Sequence, residues 1–276
     1  MEEKGILYLV ATPIGNLDDL TYRAVKVLQD VDIVAAEDTR QTLKLLNHIG
    51  VSKKLISYHR HNEDVKKDEL LEYLENGKNV AVVTDAGTPG ISDPGEEIVK
   101  VAIENNIKVV PIPGACALIN ALIASGLDTK EFSFYAFLPT NKKLRKNKIN
   151  EIRNDGKTAI IYEAPHRIKD ALDELFKELG ERKVVVAKEL TKIHESFYRS
   201  NLSNIKELIG EPKGEYIIIL EGIKLEEEND LNNMSLEDHF KFYENQGMDK
   251  KEIIKKIAKD RNVAKNEIYQ YFIDKE

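Results

Sequence analysis

Three short charged stretches hold residue types suited to proton transfer and anion binding. EDTRQT carries Glu37, Asp38 and Arg40, YEAPHR carries Tyr162, Glu163, His166 and Arg167, and AKELTKIHE gathers Lys188, Glu189, Lys192, His194 and Glu195. Carboxylates and an imidazole accept protons near neutral pH, while guanidinium and ammonium groups beside them bind phosphate or ribose oxygens. Taken singly, each stretch also reads as salt bridges at a helix start. Three of them, each at the end of a strand-like run, favour function. A fourth stretch, TDAGTPGISDPG from Thr84 to Gly95, has little charge but three glycines, two prolines and two aspartates, Asp85 and Asp93. Gly87, Gly90 and Gly95 can take positive φ, and Pro89 and Pro94 fix φ and withhold donors, so this is a shaped loop made mostly of backbone.

Several chemistries lack their signatures. The loop after the first apolar run, ATPIGNLDD, has the single glycine Gly15, so the dinucleotide G-x-G-x-x-G cradle is missing, and neither a P-loop nor a G-x-S-x-G elbow occurs. The six histidines form no H-E-x-x-H, and the one cysteine, Cys116, rules out a cysteine-based metal cluster, so no metal is expected. His59 and His61, on alternate residues at a strand end, read as solvent-facing.

The elements that position these stretches are legible as apolar runs. ILYLVATP, DIVAAED, KLISYHR, NVAVVTD and KVVPIP alternate with helical patterns such as LTYRAVKVLQD and EDVKKDELLEYLENG. Strands alternating with helices predict a mostly parallel, doubly wound sheet whose ligands sit beyond the carboxyl ends of the strands. ATPIGNLDD, EDTRQ, TDAGTPGISDPG and PIPGACA then share one rim. A second half follows, with strands expected in FSFYAFLP, TAIIYEA, KVVVAKEL and EYIIILEGI and a helix in HRIKDALDELFKELG. Two α/β layers in tandem imply a cleft between them. LEEENDLNN, from Leu225 to Asn233, reads as a linker to a helical tail that is either a helix-turn-helix or a plain hairpin. The expected organisation is an α/β domain over 1–127, a second α/β domain over 128–224, and a linker with a small helical extension over 225–276.

The chain has 276 residues with 41 Lys and Arg against 48 Asp and Glu, a formal charge of −7, which argues against coating nucleic acid through bulk attraction. A local patch stands out: Lys142, Lys143, Arg145, Lys146 and Lys148 lie in nine residues without an acid. The tail from Asp249 balances eight basic against six acidic residues and offers no strongly basic surface. The start MEEKGILYLVATPIG carries two acids and an apolar run broken at Pro13, unlike a signal peptide or spanning helix, and with one cysteine it predicts a cytoplasmic protein without membrane contact.

LYLVATPIGNLDDLTYRA, VAAEDTR, VAVVTDAGTPGISDPG, PIPGACALINALIASGL, YEAPHRI and KELTKIHE, in this order, resemble the ribosomal RNA small subunit methyltransferase I family of the tetrapyrrole methylase superfamily, over roughly Gly5 to Ile223. The resemblance implies a two-domain tetrapyrrole-methylase-like fold, a homodimer, and S-adenosylmethionine folded in the interdomain cleft. It further implies methylation of a cytidine ribose 2′-hydroxyl in the 16S rRNA of the small ribosomal subunit. Carried over by motif, the cofactor residues are Pro13, Ile14, Asp85, Gly87, Thr88, Pro89, Ile91, Ala115, Cys116, Ala117, Tyr162 and Glu163. Glu37, Asp38, Glu163, His166 and Glu189 are candidates for the catalytic base, and the clustering of His166 and Arg167 with Glu163 at one turn favours that group. Arg23, Arg40, Arg167, Lys188 and Lys192, with Lys142, Lys143 and Arg145, are expected to meet RNA, and Glu226 to Glu228 to face away from it. A tetrapyrrole-precursor methylase is the alternative within the superfamily, although the VGxGPGDxxLLT loop of those enzymes is not matched by ATPIGNLDDLT. A non-catalytic RNA-binding or assembly factor is the alternative of another class.

Overall fold

Valine and isoleucine runs with no polar alternation become strands buried on both faces. In the computed structural model, which describes residues 3–223, 231, 234–261 and 263–273, the first sheet holds β1 (Ile6–Val10), β2 (Ile33–Ala36), β3 (Lys54–Ser57), β4 (Val80–Val83) and β5 (Lys108–Ile112). Its order is β3-β2-β4-β1-β5, and every pair is parallel. Alternate residues serve opposite faces. Ile33 and Ala35, with Val80 and Val82, pack on α3 (Glu63–Glu75) and α4 (Glu96–Glu104). Val34 and Ala36, with Ala81 and Val83, pack on α1 (Tyr22–Asp30) and α2 (Thr39–His48). This is the doubly wound arrangement expected from the sequence.

The next helix, α5 (Ala117–Ser125), is apolar and belongs to the other half: Leu118, Ala121 and Leu122 pack on Ile160, Val185, Ala187, Ile217 and Ile219 of the second sheet. That sheet comprises β6 (Phe132–Phe137), β7 (Thr158–Glu163), β8 (Lys183–Lys188), β9 (Ser196–Asn201) and β10 (Tyr216–Leu220), in the order β6-β7-β10-β8-β9. Only β6 and β7 pair in parallel; β10 and β9 run antiparallel to their neighbours. Its other face is covered by α6 (Lys142–Asp155), α7 (Ile168–Leu179) and α8 (Ile205–Ile209). The edge strand β9 adds to the four strands expected from the sequence.

Residues 1–223 form one compact unit, in which Ile14 of the first loop joins the apolar cluster of the second sheet. The second unit is 224–276. Within it α9 (Leu236–Glu244), α10 (Lys250–Asp260) and α11 (Lys265–Ile273) enclose a small core of Tyr243, Ile253, Ile254, Ile257, Ala258 and Ile268. The expected linker lies, apart from Leu231, outside the described residues, as do Glu226 to Glu228.

Candidate active site

At the carboxyl rim of the first sheet the glycine-rich loop is tied to the loop after β1. Thr12 and Gly87 exchange backbone hydrogen bonds of 2.9 and 3.0 Å, and the Thr12 hydroxyl donates to the Thr84 carbonyl at 3.1 Å. Gly87 has φ +86°, and a Cβ there would stand 3.2 Å from Ile14 Cγ2, so only glycine fits this turn comfortably. The loop closes on itself through Gly90 N–H donating to the Pro94 carbonyl at 3.1 Å. The Thr88 hydroxyl donates to the Ala115 carbonyl at 3.1 Å, joining it to PIPGACA.

Across from this loop stands the end of β7. The Leu118 amide, in the first turn of α5, donates to the Tyr162 hydroxyl at 3.1 Å, and burial pushes that phenol's pKa up. Phe134 and Phe137 meet the Tyr162 ring edge-on at 4.9 and 5.8 Å between centroids. Between these walls lies a cavity of about 470 Å3, lined by Ile14, Asp85, Gly87, Thr88, Ile91, Cys116, Ala117, Tyr162 and Glu163 of the expected cofactor residues. Pro13, Pro89 and Ala115 do not line it. They shape the loops whose neighbours do.

Six carboxylates line the cavity: Glu37, Asp85, Asp93, Glu163, Glu189 and Glu215. Glu163, with no exposed side-chain surface, accepts from the Ala164 amide at 2.9 Å and faces the Arg167 Nε at 3.3 Å, while its Oε2 has no partner. Burial raises its pKa against the pull of that amide and of Arg167. Glu189, at φ +51°, accepts from the Glu215 amide and from Lys192, each at 2.9 Å, and Lys192 also pairs with Glu215 at 3.0 Å. Burial works to raise the Glu189 pKa, but the Lys192 hydrogen bond, the Glu215 amide and the nearby ammonium charges outweigh it and bring it below its ordinary value.

On the first-sheet side Glu37 accepts from the Asp85 amide at 3.5 Å, and Asp85 accepts from the Asp38 amide at 3.0 Å. Burial raises the Glu37 pKa, the Asp85 amide opposing and the Asp85 charge adding to it. Asp93 is pushed up to about 6 by burial, then by the charge of Glu37, with Arg60 opposing. The sequence reading did not single out Asp93, Glu215 or Phe137 as site residues.

The other sequence candidates lie elsewhere. Asp38 caps α2: it accepts from the Arg40 amide at 2.9 Å and pairs with the Arg40 guanidinium at 2.7 Å, which holds its carboxyl down at about 2. A carboxylate so depressed is a weak base at neutral pH, and it does not line the cavity. His166 is exposed at the turn before α7 and is not among the lining residues. His59 is half-buried rather than solvent-facing, with Nδ1 buried and unpartnered. Among the expected RNA contacts, Arg145 turns inward to Glu174 with an Nε–Oε2 distance of 2.5 Å, Arg167 is taken up by Glu163 and the Leu138 carbonyl, and Lys192 by its two carboxylates. Arg23, Lys142 and Lys143 are exposed, and Lys188 Nζ lies 5.8 Å from the Tyr216 ring centroid. Among the described residues no group of three or more metal-ligating side chains occurs, and no helix is long and apolar enough to cross a membrane.

The profile of the tetrapyrrole (corrin/porphyrin) methylases matches residues 6–206. The ribosomal RNA small subunit methyltransferase I of Halalkalibacterium halodurans is 48% identical, covering 98% of this chain and 96% of its own. That of Bacillus subtilis is 44% identical, covering 98% and 94%. Among solved structures, a uroporphyrin-III C-methyltransferase from Thermus thermophilus complexed with S-adenyl homocysteine shares the fold at a TM-score of 0.56 and 19% identity, over 79% of this chain and 97% of that one. The chain belongs to the tetrapyrrole (corrin/porphyrin) methylase family, in its ribosomal RNA small subunit methyltransferase I group.

Proposed function

We propose that this chain is a methyltransferase that uses S-adenosylmethionine to methylate the ribose 2′-hydroxyl of a cytidine in 16S rRNA. It would act in the cytoplasm, on the small ribosomal subunit. The observation that carries the reading is the cavity between the two sheets, walled by a tied glycine-rich loop and by α5 and β7. At about 470 Å3 it is of the size that encloses a nucleoside-sized cofactor. Its walls suit one: Ile14, Ile91 and Ala117 give apolar surface, and the backbone at Gly87 is open to close approach. No cluster of cations for a pyrophosphate lines it, in keeping with a cofactor that carries a sulfonium instead. When bound, S-adenosylmethionine supplies an electrophilic methyl group and leaves as a neutral thioether.

The protein's own task is then to orient the acceptor hydroxyl, exclude water and take up a proton. Exposed Arg23, Lys142 and Lys143 are free to meet phosphates, giving salt-sensitive binding despite the net charge of −7. A homodimer fits the surface of α5, where Ile119 and Ile123, one turn apart, stand 40% and 67% exposed opposite the buried face; a second copy would cover them.

The test is transfer of tritiated methyl from S-adenosylmethionine to 30S subunits of a strain lacking this gene, with nuclease mapping of the labelled sugar. Label on a cytidine ribose is the expected result. Cofactor binding without label on subunits or free 16S rRNA would move the assignment to a small-molecule methylase.

A further inference from the structure

The edge strand β6 falls out of step with its neighbour just where it reaches the cavity. Phe134 pairs with Ile160 and Phe137 with Tyr162, so β6 takes three steps where β7 takes two, and a β-bulge absorbs the extra residue. At the bulge Ala136 takes φ +52°, a strained value for a residue with a Cβ. The extra residue reverses the alternation of side chains. Without it Phe137 would point away from the face of Phe134; with it both rings meet Tyr162, at 4.9 and 5.8 Å between centroids. The strain therefore sets an aromatic ring in the cavity wall. The chain beyond holds it there, Leu138 being buried and its carbonyl accepting from the Arg167 guanidinium.

Phe137 is nevertheless 50% exposed, whereas Ile14 in the same cavity is 8% exposed. A ring that lines a cavity and stays half open to solvent marks its mouth, and so little burial points to a ligand rather than to the fold. Lys142 follows five residues later, at most about 18 Å away even along a fully extended chain. Lys142 and Lys143 are exposed, and the Asn141 side chain already accepts from the amides of Lys143 and Leu144, so the ammonium groups are what this end of α6 offers an anion. An aromatic ring beside cations holds single-stranded nucleic acid, the ring stacking a base and the cations meeting phosphates.

Resting on the methyltransferase reading above, we infer that Phe137 is the stacking platform for the base of the acceptor nucleotide, splayed out of its strand at the cavity mouth, while Lys142 and Lys143 meet the flanking phosphates. A stacked base fixes the ribose joined to it, and so aims the 2′-hydroxyl into the cavity. Every base has a π-face, so Phe137 orients the acceptor and does not select cytosine. Ile14 and Gly87, both buried at the inner wall, are left to the cofactor.

The experiment compares wild type with Phe137→Leu, Phe137→Tyr and Phe137→Trp in methyl transfer to 30S subunits, in S-adenosylmethionine binding by calorimetry, and in thermal unfolding as a check of the fold. Phe137→Leu keeps an apolar side chain and removes the π-face. It is expected to lower kcat/KM for subunits about tenfold to a hundredfold, the range for losing one stacked base, with cofactor Kd changed less than threefold. Phe137→Tyr and Phe137→Trp should retain most of kcat/KM. The chain has no tryptophan, so the emission of Phe137→Trp reports this position alone and wild type supplies the background. With S-adenosylhomocysteine already bound, adding subunits should quench it further. Near-normal kcat/KM in Phe137→Leu would overturn the inference, as would a loss that Tyr and Trp share with Leu. A tenfold loss of cofactor affinity in Phe137→Leu, or quenching complete with S-adenosylhomocysteine alone, would also overturn it and make Phe137 a wall for adenine. Absence of transfer by the wild type would instead overturn the methyltransferase reading on which this one rests.

Discussion

The two walls of the cavity treat the same functional group in opposite ways. On the second-sheet side every carboxylate is met by a cation: Glu163 by Arg167, and Glu189 and Glu215 by Lys192. On the first-sheet side Glu37, Asp85 and Asp93 face one another with no ion-pair partner within 4 Å among the described residues. The pKa directions follow, Glu189 lying below its ordinary value and Glu37 and Asp93 above theirs. Glu163 is the intermediate case, raised by burial although Arg167 is beside it. The difference separates carboxylates that hold the fold from those left able to exchange a proton.

The largest effect should come from breaking a held pair. Arg167→Met would leave the fully buried Glu163 without its cation and the Leu138 carbonyl without its donor. Removing one partner of a buried pair typically costs about 3 kcal/mol or more, and that loss is expected in urea unfolding at pH 7.5. Burial already raises the Glu163 pKa, and without the cation it rises further. The penalty is thus full above that folded value and absent below the unfolded one, so the loss should shrink towards pH 4. A pH-independent loss would mean that Arg167 acts through packing alone.

A smaller effect is expected at Gly214. It has φ +85°, and a Cβ there would come 2.4 Å from the Glu189 carboxyl carbon. Gly214→Ala should cost about 2 kcal/mol in thermal unfolding and displace Glu189 from Lys192. Cofactor affinity by calorimetry then reports whether the held wall also shapes the cofactor site. An unchanged Kd would confine the second wall to stability.

How much of this could be read from the chain depends on whether a residue's role is fixed locally. Buried parallel strands announce themselves as apolar runs, and the alternation of strands with helices alone places the loops at their carboxyl ends on one rim. The strand β9 gives no such run: SFYRSN sends Phe197 to one face and Tyr198 to the other, with polar neighbours around them, and its strand state depends on pairing with β8. Asp93 sits in a loop whose glycines and prolines mark a backbone surface, a pattern that does not distinguish its carboxylate from that of Asp85. Its lack of donors is a tertiary fact. Asp38 and Arg40 were read as chemistry, yet Asp38 directly before a helix is also a cap, and the structure realises the cap.

Helix α6 repeats the contrast of the two walls on a smaller scale, and carries the smallest predicted effects. Its basic run forms one patch in the sequence, but helical spacing places Arg145 on the face of Ile149 and Ile152, which are buried, whereas Lys142 and Lys143 are exposed. Arg145→Ala should therefore act on the fold, costing about 1 kcal/mol through the loss of Glu174 and leaving the salt dependence of RNA binding alone. Lys142→Ala with Lys143→Ala should do the reverse, leaving urea unfolding unchanged and reducing the slope of log K against log salt by about 1 to 2. Titrations of 16S rRNA at several salt concentrations measure that slope. Equal slopes for the double variant and wild type would mean that α6 does not meet RNA, whereas a slope lowered by Arg145→Ala would mean that the Glu174 pair opens when RNA binds.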